Sequence, residues 1–425
     1  MHVAQFVHRY PPALGGAEAW TARLSKSLVA AGHTVTVWTT TAIDLSALTR
    51  RGREEMRVGI SNESGVTVRR YQPSYRWAGR RTLLKAASLV PNRSWQSLTV
   101  PWGPISRGMW RDAGRDTEPA DVVHAIAFPY AAIIRSGLRL ARCRGVPFVI
   151  TPFLHLGDPD DPDDRIRRAY SAPHLRWLLR QADRVLVQTP TEGEAVRGMG
   201  IPASRIVLQG LGVDPAECTG GDRPAARARW GIAPNEVVVG HLANQSAEKG
   251  TIDLLRAAAD VFRNGPRLRV VLAGPAMPSF MNFWKEFGPV PWVTQLGPLS
   301  DQQKRDFFSG IDVFALPSRS DSFGLVFLEA WANELPVIGY RAGGVADVLR
   351  DGTDGFLVRC GDLTGLKEAL NRLTDAGARW RLGTAGRERL GREFRWDDKL
   401  RIARETLTER RNPIDANSNK SISIV

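Results

Sequence analysis

The residues best placed to do chemistry are two carboxylates, Asp321 and Glu329, separated by seven residues in the stretch 317–329 (PSRSDSFGLVFLE). An apolar run at 313–316 reads as a strand, the loop after it carries Asp321, and a helix is expected from about Leu325. Ligands of open α/β sheets sit outside the carboxyl ends of strands. The amides of Phe323, Gly324 and Leu325 would open the helix, and unpaired amides at a helix start suit a diphosphate. Gly324 has no Cβ to hold a ligand away from the backbone. The two acids can then face one crevice and accept hydrogen bonds from vicinal hydroxyls. The same residues also fit a plain helix cap at Ser320 or Asp321 with a solvated glutamate, and spacing alone does not choose between the readings.

Other candidates stand at comparable junctions. Lys249 follows a strand at 237–242 and a loop containing Asn244, and precedes a helix at 252–262. Its compact ammonium suits a leaving diphosphate, although it also fits a solvated helix start. Gly15 and Gly16 lie between a strand at 3–8 and a helix, where their amides can face a phosphate or an acceptor. They lack the G-x-G-x-x-G spacing, so a tight turn explains them equally well. Glu18 in the next turn fits a first-turn acid favoured by the helix dipole. His124 closes a strand at 121–125 and His155 follows one at 148–151. Either is a crevice candidate, and His124 also reads as a core histidine. The run 158–164 (DPDDPDD) offers carboxylates to a hard cation, but its prolines mark an exposed loop, and no metal site is expected.

Stepping outward, strand, glycine turn, helix and strand succeed one another from residue 3 to residue 40, a βαβ unit that pairs its strands in parallel. Further strands are expected at 184–188, 205–208, 268–273, 336–340 and 355–358, with helices at 131–142, 165–182, 363–374 and 396–407. Proline, glycine and charge interrupt the rhythm at 214–230. The expected fold is therefore α/β, with two doubly wound Rossmann-like domains. Residues 1–214 would form the first, with an irregular basic and aromatic excursion at about 69–115, and 215–391 the second. A last helix at 392–411 and a polar tail at 412–425 would follow.

Several ordered motifs coincide with a known family. The segment 316–330 (LPSRSDSFGLVFLEA), 335–338 (LPVI) and 343–348 (GGVADV) resemble retaining nucleotide-sugar glycosyltransferases of family 4. So do Gly15-Gly16-Ala17-Glu18, Asp121-Val122-Val123-His124, Lys249-Gly250, Ala273-Gly274 and the stretch 351–358 (DGTDGFLV). The resemblance implies a GT-B fold, two Rossmann-like lobes facing each other across a cleft, with the C-terminal helix returning to the first lobe. It implies a donor domain at 215–391 in which Glu329 holds the ribose, Asp321 contacts the sugar, and the amides of Phe323, Gly324 and Leu325 lie beside it. Lys249 would meet the diphosphate. Two departures stand out: the family's first acid is usually Glu, and the arginine that accompanies its lysine has no counterpart at His241 or Asn244. Members also often carry a second histidine where this chain has Ile126. The implied reaction is sugar transfer from a nucleoside diphosphate donor to an acceptor hydroxyl, with no cofactor besides that co-substrate. The alternatives are a non-catalytic nucleotide-sugar-binding protein, an epimerase of related fold, or a phosphorylase, which would need pyridoxal phosphate.

Composition limits partners and location. Of 425 residues, 58 are basic and 44 acidic, a net charge of +14, and arginine supplies most of the bases. No apolar run is long enough to span a bilayer, and the start reads as a strand, not a leader peptide. Three scattered cysteines (Cys143, Cys218 and Cys360) fit a reducing compartment. Residues 69–111 carry nine basic and no acidic residues among Tyr71, Tyr75, Trp77, Trp95, Trp102 and Trp110. That mixture suits peripheral contact with an anionic membrane, and equally a packed insertion with an arginine-rich face. Without a recognisable stacking module, nucleic acid is not an expected partner. A cytoplasmic protein touching the inner membrane face is the expectation.

Overall fold

The structure is a computed structural model that describes residues 1–50, 54–75, 79–100, 103–264 and 268–409. Trp77, Trp102 and the polar tail at 412–425 lie outside these residues. The first sheet contains His2–Phe6 (β1), Thr34–Thr40 (β2), Gly59–Glu63 (β3), Val66–Tyr71 (β4), Val122–Ile126 (β5), Phe148–Thr151 (β6), Arg184–Val187 (β7) and Ile206–Leu208 (β8). The second contains Val237–Leu242 (β9), Leu268–Ala273 (β10), Val293–Gly297 (β11), Val313–Leu316 (β12), Val337–Tyr340 (β13) and Gly355–Val358 (β14). Their orders are β3-β4-β2-β1-β5-β6-β7-β8 and β11-β10-β9-β12-β13-β14. Every pairing is parallel except β3 with β4.

Both orders reverse direction beside the strand that starts each lobe. In the first sheet the reversal falls between β1 and β5, and in the second between β9 and β12. Such switch points leave a crevice at the carboxyl edge that crossover helices do not fill. The loops after β1, β5 and β6 therefore meet those after β9 and β12 at one place. The apolar strands force this layering, because Val3, Val35, Val37 and Val122 are fully or almost fully buried under Trp20, Leu24 and Leu28 of the helix Gly16–Ala30.

The C-terminal helix Trp396–Thr408 returns to the first lobe. Val213 N–H donates to the Phe394 carbonyl at 3.1 Å, Arg23 lies over the Trp396 ring at 5.3 Å, and Arg404 donates to Ser27. Some elements differ from the sequence reading. The expected helix at 165–182 is two, Arg165–Tyr170 and Pro173–Arg180, because Pro173 lacks the N–H a continuous helix needs and instead starts a new one. Arg69, Arg70 and Tyr71 are the end of β4, and among the described residues the excursion proper holds three short helices, Arg80–Ala87, Arg93–Leu98 and Arg107–Asp112. The proline-rich stretch near 214–230 holds the helix Arg223–Arg229, whose buried Arg227 donates to the Gly310 carbonyl at 2.9 Å and pairs with Asp312 at 2.5 Å.

Candidate active site

The second lobe contributes a loop, a helix start and a cation. After β12, the chain crosses to the helix Leu325–Ala332 through Gly324, whose φ of 83° lies in the left-handed region. A Cβ there would also stand 2.5 Å from the Phe327 ring, so only glycine fits. Asp321 is held by Lys249, whose Nζ donates to Oδ1 at 2.9 Å, while Oδ2 is buried without a hydrogen-bond partner. Burial is the largest influence and raises the Asp321 carboxyl, but the charge and hydrogen bond of Lys249, together with Ser318 and His155, hold the group below its ordinary value. Lys249 stands where the loop after β9 enters the helix Thr251–Asn264. His241 is a post beneath this loop: Nδ1 donates to the Ala315 carbonyl at 2.9 Å, and Nε2 meets Thr251 Oγ1 at 2.9 Å. Burial lowers its pKa to about 4, so it stays neutral and supplies no cation.

The first lobe faces this arrangement with His8 and Arg9, which the sequence reading passed over, and with Glu18, which it gave as a first-turn acid. At the end of β1, His8 Nε2 lies 3.1 Å from Glu18 Oε1, and Arg9 Nη2 lies 2.5 Å from the same oxygen. Arg9 also donates to the carbonyls of Ile43 at 2.8 Å and Leu14 at 3.1 Å. Burial lowers the His8 pKa despite the carboxylate, and Glu18 is held low by His8 and Arg9 although burial opposes it. A Cβ at Gly15 would stand 2.2 Å from Glu18 Oε2 and would have to displace that buried carboxylate, whereas Gly16 is open. The available signal was a histidine and an arginine ending an otherwise apolar strand.

These parts line a cavity of about 420 Å³ between the lobes. Gly15, Gly16, His155, Asn244, Lys249, Asp321, Phe323, Gly324 and Leu325 all border it. Glu329 does not: it lines an adjoining cavity of about 700 Å³, and Leu325 borders both. There Glu329 Oε1 accepts from Lys304 Nζ at 2.6 Å, a partner absent from the sequence reading. The two acids therefore flank the start of one helix from neighbouring compartments. His124 is a correction. It is fully buried in the sheet, bonded to Thr151 Oγ1 at 2.8 Å and set edge-on to Trp20, outside both cavities. Its direction on β5 aims it under the helix Gly16–Ala30, and burial lowers its pKa to about 3.

His155 bridges the lobes, its Nδ1 donating to the carbonyl of Ser320, next to Asp321. Burial and the charge of Lys249 lower its pKa. Beside it Gly343 N–H donates to the Gly157 carbonyl at 2.9 Å, and Arg359 pairs with Asp160 at 2.9 Å. The other aspartates of 158–164 serve their own loop: Asp158 and Asp161 accept from Asp160 and Asp163 N–H at 2.9 Å each, and Asp164 caps the next helix at Arg167. Among the described residues no group of three or more His, Cys, Asp or Glu is placed to hold a metal ion.

Comparison with known proteins adds a second line of observation. Residues 15–212 match the family model "Glycosyl transferase 4-like domain", and residues 222–389 match "Glycosyl transferases group 1". The D-inositol 3-phosphate glycosyltransferase of Rhodococcus erythropolis is 32% identical over 276 residues, covering 61% of this chain and 62% of that protein. Its Rhodococcus jostii counterpart is 33% identical, covering 61% and 60%. The chain thus spans less than two thirds of the length of these relatives. Among solved structures, sucrose-phosphate synthase of Thermosynechococcus elongatus superposes with a TM-score of 0.71 at 21% identity, over 95% of this chain and 98% of that one. Anabaena HepE in complex with UDP and glucose gives 0.67 at 19%, over 96% and 99%. These likenesses establish the GT-B fold.

Proposed function

The chain belongs to the glycosyltransferases of the group 1 and 4-like kind, and from that premise we propose that it moves a sugar from a nucleoside diphosphate donor to an acceptor hydroxyl, with retention at the anomeric carbon. The observation that carries this reading is the convergence of Lys249, Asp321 and the start of the helix Leu325–Ala332 on one cavity faced by Gly15 and Gly16. The donor diphosphate lies along the amides of Phe323, Gly324 and Leu325 and takes Lys249 from Asp321. Asp321, released, accepts from sugar hydroxyls. Glu329, in the adjoining cavity, receives the ribose. As the bond from C1 to the diphosphate breaks, the acceptor oxygen enters on the same face, and its proton passes to a donor phosphate oxygen. The new C1–O bond completes the exchange.

UDP-glucose, bound in a crystal structure of HepE, is the first donor to test, and an inositol phosphate, by the name of the Rhodococcus relatives, the first acceptor. No helix among the described residues is long and apolar enough to cross a membrane. We place the protein in the cytoplasm, touching an anionic membrane surface through Leu83, Leu89, Val90 and Trp95, which are exposed beside Lys85 and Arg93. A panel of UDP-, GDP- and ADP-sugars, followed by nucleotide release and by calorimetric binding, tests the reaction. One nucleotide class is expected to bind and be consumed; no binding of any donor would overturn the reading.

A further inference from the structure

A helix of the first lobe is completed by the second. Pro190–Gly198 begins shortly after β7, and the amides of a first helical turn have no partners within the helix. Pro190 has no N–H, Glu192 N–H donates to Thr189 Oγ1 at 3.1 Å, and Gly193 N–H donates to the Thr189 carbonyl at 3.0 Å. That leaves the Thr191 amide, which donates across the lobes to Asp347 Oδ2 at 2.8 Å. A carboxylate at a helix start also meets the positive end of the helix dipole. Asp347 is firmly based: in the short helix Val345–Val348, Arg389 donates to the Asp347 carbonyl at 3.4 Å and to that of Val348.

Two routes lead from this helix start to the loop that carries Asp321. Glu192, 1% exposed, accepts from Leu154 N–H at 2.7 Å through Oε1 and from Gln188 N–H at 2.6 Å through Oε2. Leu154 precedes His155, which donates to the Ser320 carbonyl. On the other route, Asp347 follows Gly343 and Gly344, which pack directly on the backbone of that loop. A Cβ on Gly343 would stand 2.4 Å from the Asp321 carbonyl oxygen. One on Gly344 would stand 2.1 Å from the Ser322 carbonyl oxygen and 2.7 Å from Thr189 Cγ2. We infer that Glu192 and Asp347 are positioning residues for Asp321, Glu192 acting through His155 and Asp347 through Gly343 and Gly344. Neither borders the two cavities, so neither is expected to touch a ligand. The inference rests on the transferase reading for what Asp321 does, and on this geometry alone for how it is held.

The test separates the two. Hydrogen exchange of the free full chain needs no donor. The amides of 318–324 are expected to exchange at least fivefold faster in Asp347→Ala, and likewise in Glu192→Gln, which offers one acceptor oxygen where the carboxylate offers two. Asp347 is half-buried, and its variants carry the test where Glu192→Gln loses the fold. Calorimetry follows with UDP-glucose and UDP, or with the GDP or ADP pair that the native chain binds. In Asp347→Ala the sugar nucleotide Kd is expected to rise at least fivefold while the nucleoside diphosphate Kd moves less than twofold, because the Lys249 and Glu329 contacts proposed for the latter lie within the second lobe. Asp347→Asn keeps an acceptor for the Thr191 amide and should recover most of the loss. In an Asp321→Ala background, Asp347→Ala should add nothing. Unchanged exchange in Asp347→Ala, equal weakening of both ligands, or a full effect that persists without Asp321 would each overturn the inference. Failure of the native chain to bind any of the three pairs would instead remove the transferase reading, and the exchange rates would still decide how Asp321 is held.

Discussion

Removing the Glu329 carboxylate should weaken donor binding by a calculable amount. Glu329 gives Oε1 to Lys304 at 2.6 Å, which leaves Oε2 for the ribose hydroxyls. A hydrogen bond to a charged acceptor contributes about 1.5–3 kcal/mol net. At 1.4 kcal/mol per tenfold, Glu329→Ala should raise the Kd of the preferred nucleoside diphosphate by about 10- to 150-fold. Glu329→Gln retains a neutral acceptor, worth about 1 kcal/mol, and should fall between the two. The lost ion pair explains little of this, because the Lys304 side chain is 38% exposed and such pairs contribute under about 1 kcal/mol. Lys304→Met separates the effects: it breaks the same pair, leaves the carboxylate in place, and should move the Kd by no more than about fivefold. Calorimetric titration of UDP, GDP and ADP into the three variants provides the measurement. A Glu329→Ala Kd within twofold of the native value, or a Lys304→Met loss as large as that of Glu329→Ala, would refute the ribose assignment.

Other outcomes follow from the same geometry. Asp321→Asn frees Lys249 for phosphate while weakening the grip on sugar hydroxyls, so UDP binding should hold or tighten as kcat falls by about 100-fold, the worth of about 3 kcal/mol; unchanged kcat would remove Asp321 from the sugar site. Burial lowers the pKa of His124 to about 3, and of His174 and His241 to about 4, so the fold refuses protons that the unfolded chain accepts below about 6.5. Their stabilisation is complete above that value and is lost as the pH falls. Glu192, raised to about 7 by burial, acts oppositely between about 4.5 and 7. These three groups against Glu192 leave a decline of roughly 3 kcal/mol per pH unit on acidification, to which His8 and His155, also lowered by burial, add in the same direction, and a urea midpoint that stays level from pH 7 to 5 would contradict it. Sedimentation with anionic vesicles at low salt, abolished by high salt and weakened by Leu89→Ser with Trp95→Ser, is expected of the exposed aromatic and basic surface; absence of binding at low salt would discard the membrane contact.

Most of the parallel strands, though not β4 or β11, and the second-lobe loop were legible because their signals are local. Short apolar runs ended by glycine and proline mark β1, β9 and β12, and the Asp321–Glu329 spacing falls wholly within one loop and helix. The site residues left unread depend on partners distant in the chain. Lys304 meets Glu329 only because the helices Asp301–Gly310 and Leu325–Ala332 line the same cavity. His8 gains meaning only from Glu18 and Tyr130, which three separate segments bring together. His124 shows the converse: a histidine at a strand end can point to either face, and a two-residue alternation cannot say which face opens on the cleft. β3 and β4 escaped notice because Gly59–Glu63 is polar and exposed, so its hairpin carries little apolar signature.

The hydrogen bond from His155 to the Ser320 carbonyl ties the first lobe to the strand-to-helix loop of the second. Ser320 adjoins Asp321, which Lys249 grips from within its own lobe, so the short segment that presents the aspartate is pinned from both sides of the cleft. The registry of the two lobes is thereby read out at a single backbone carbonyl.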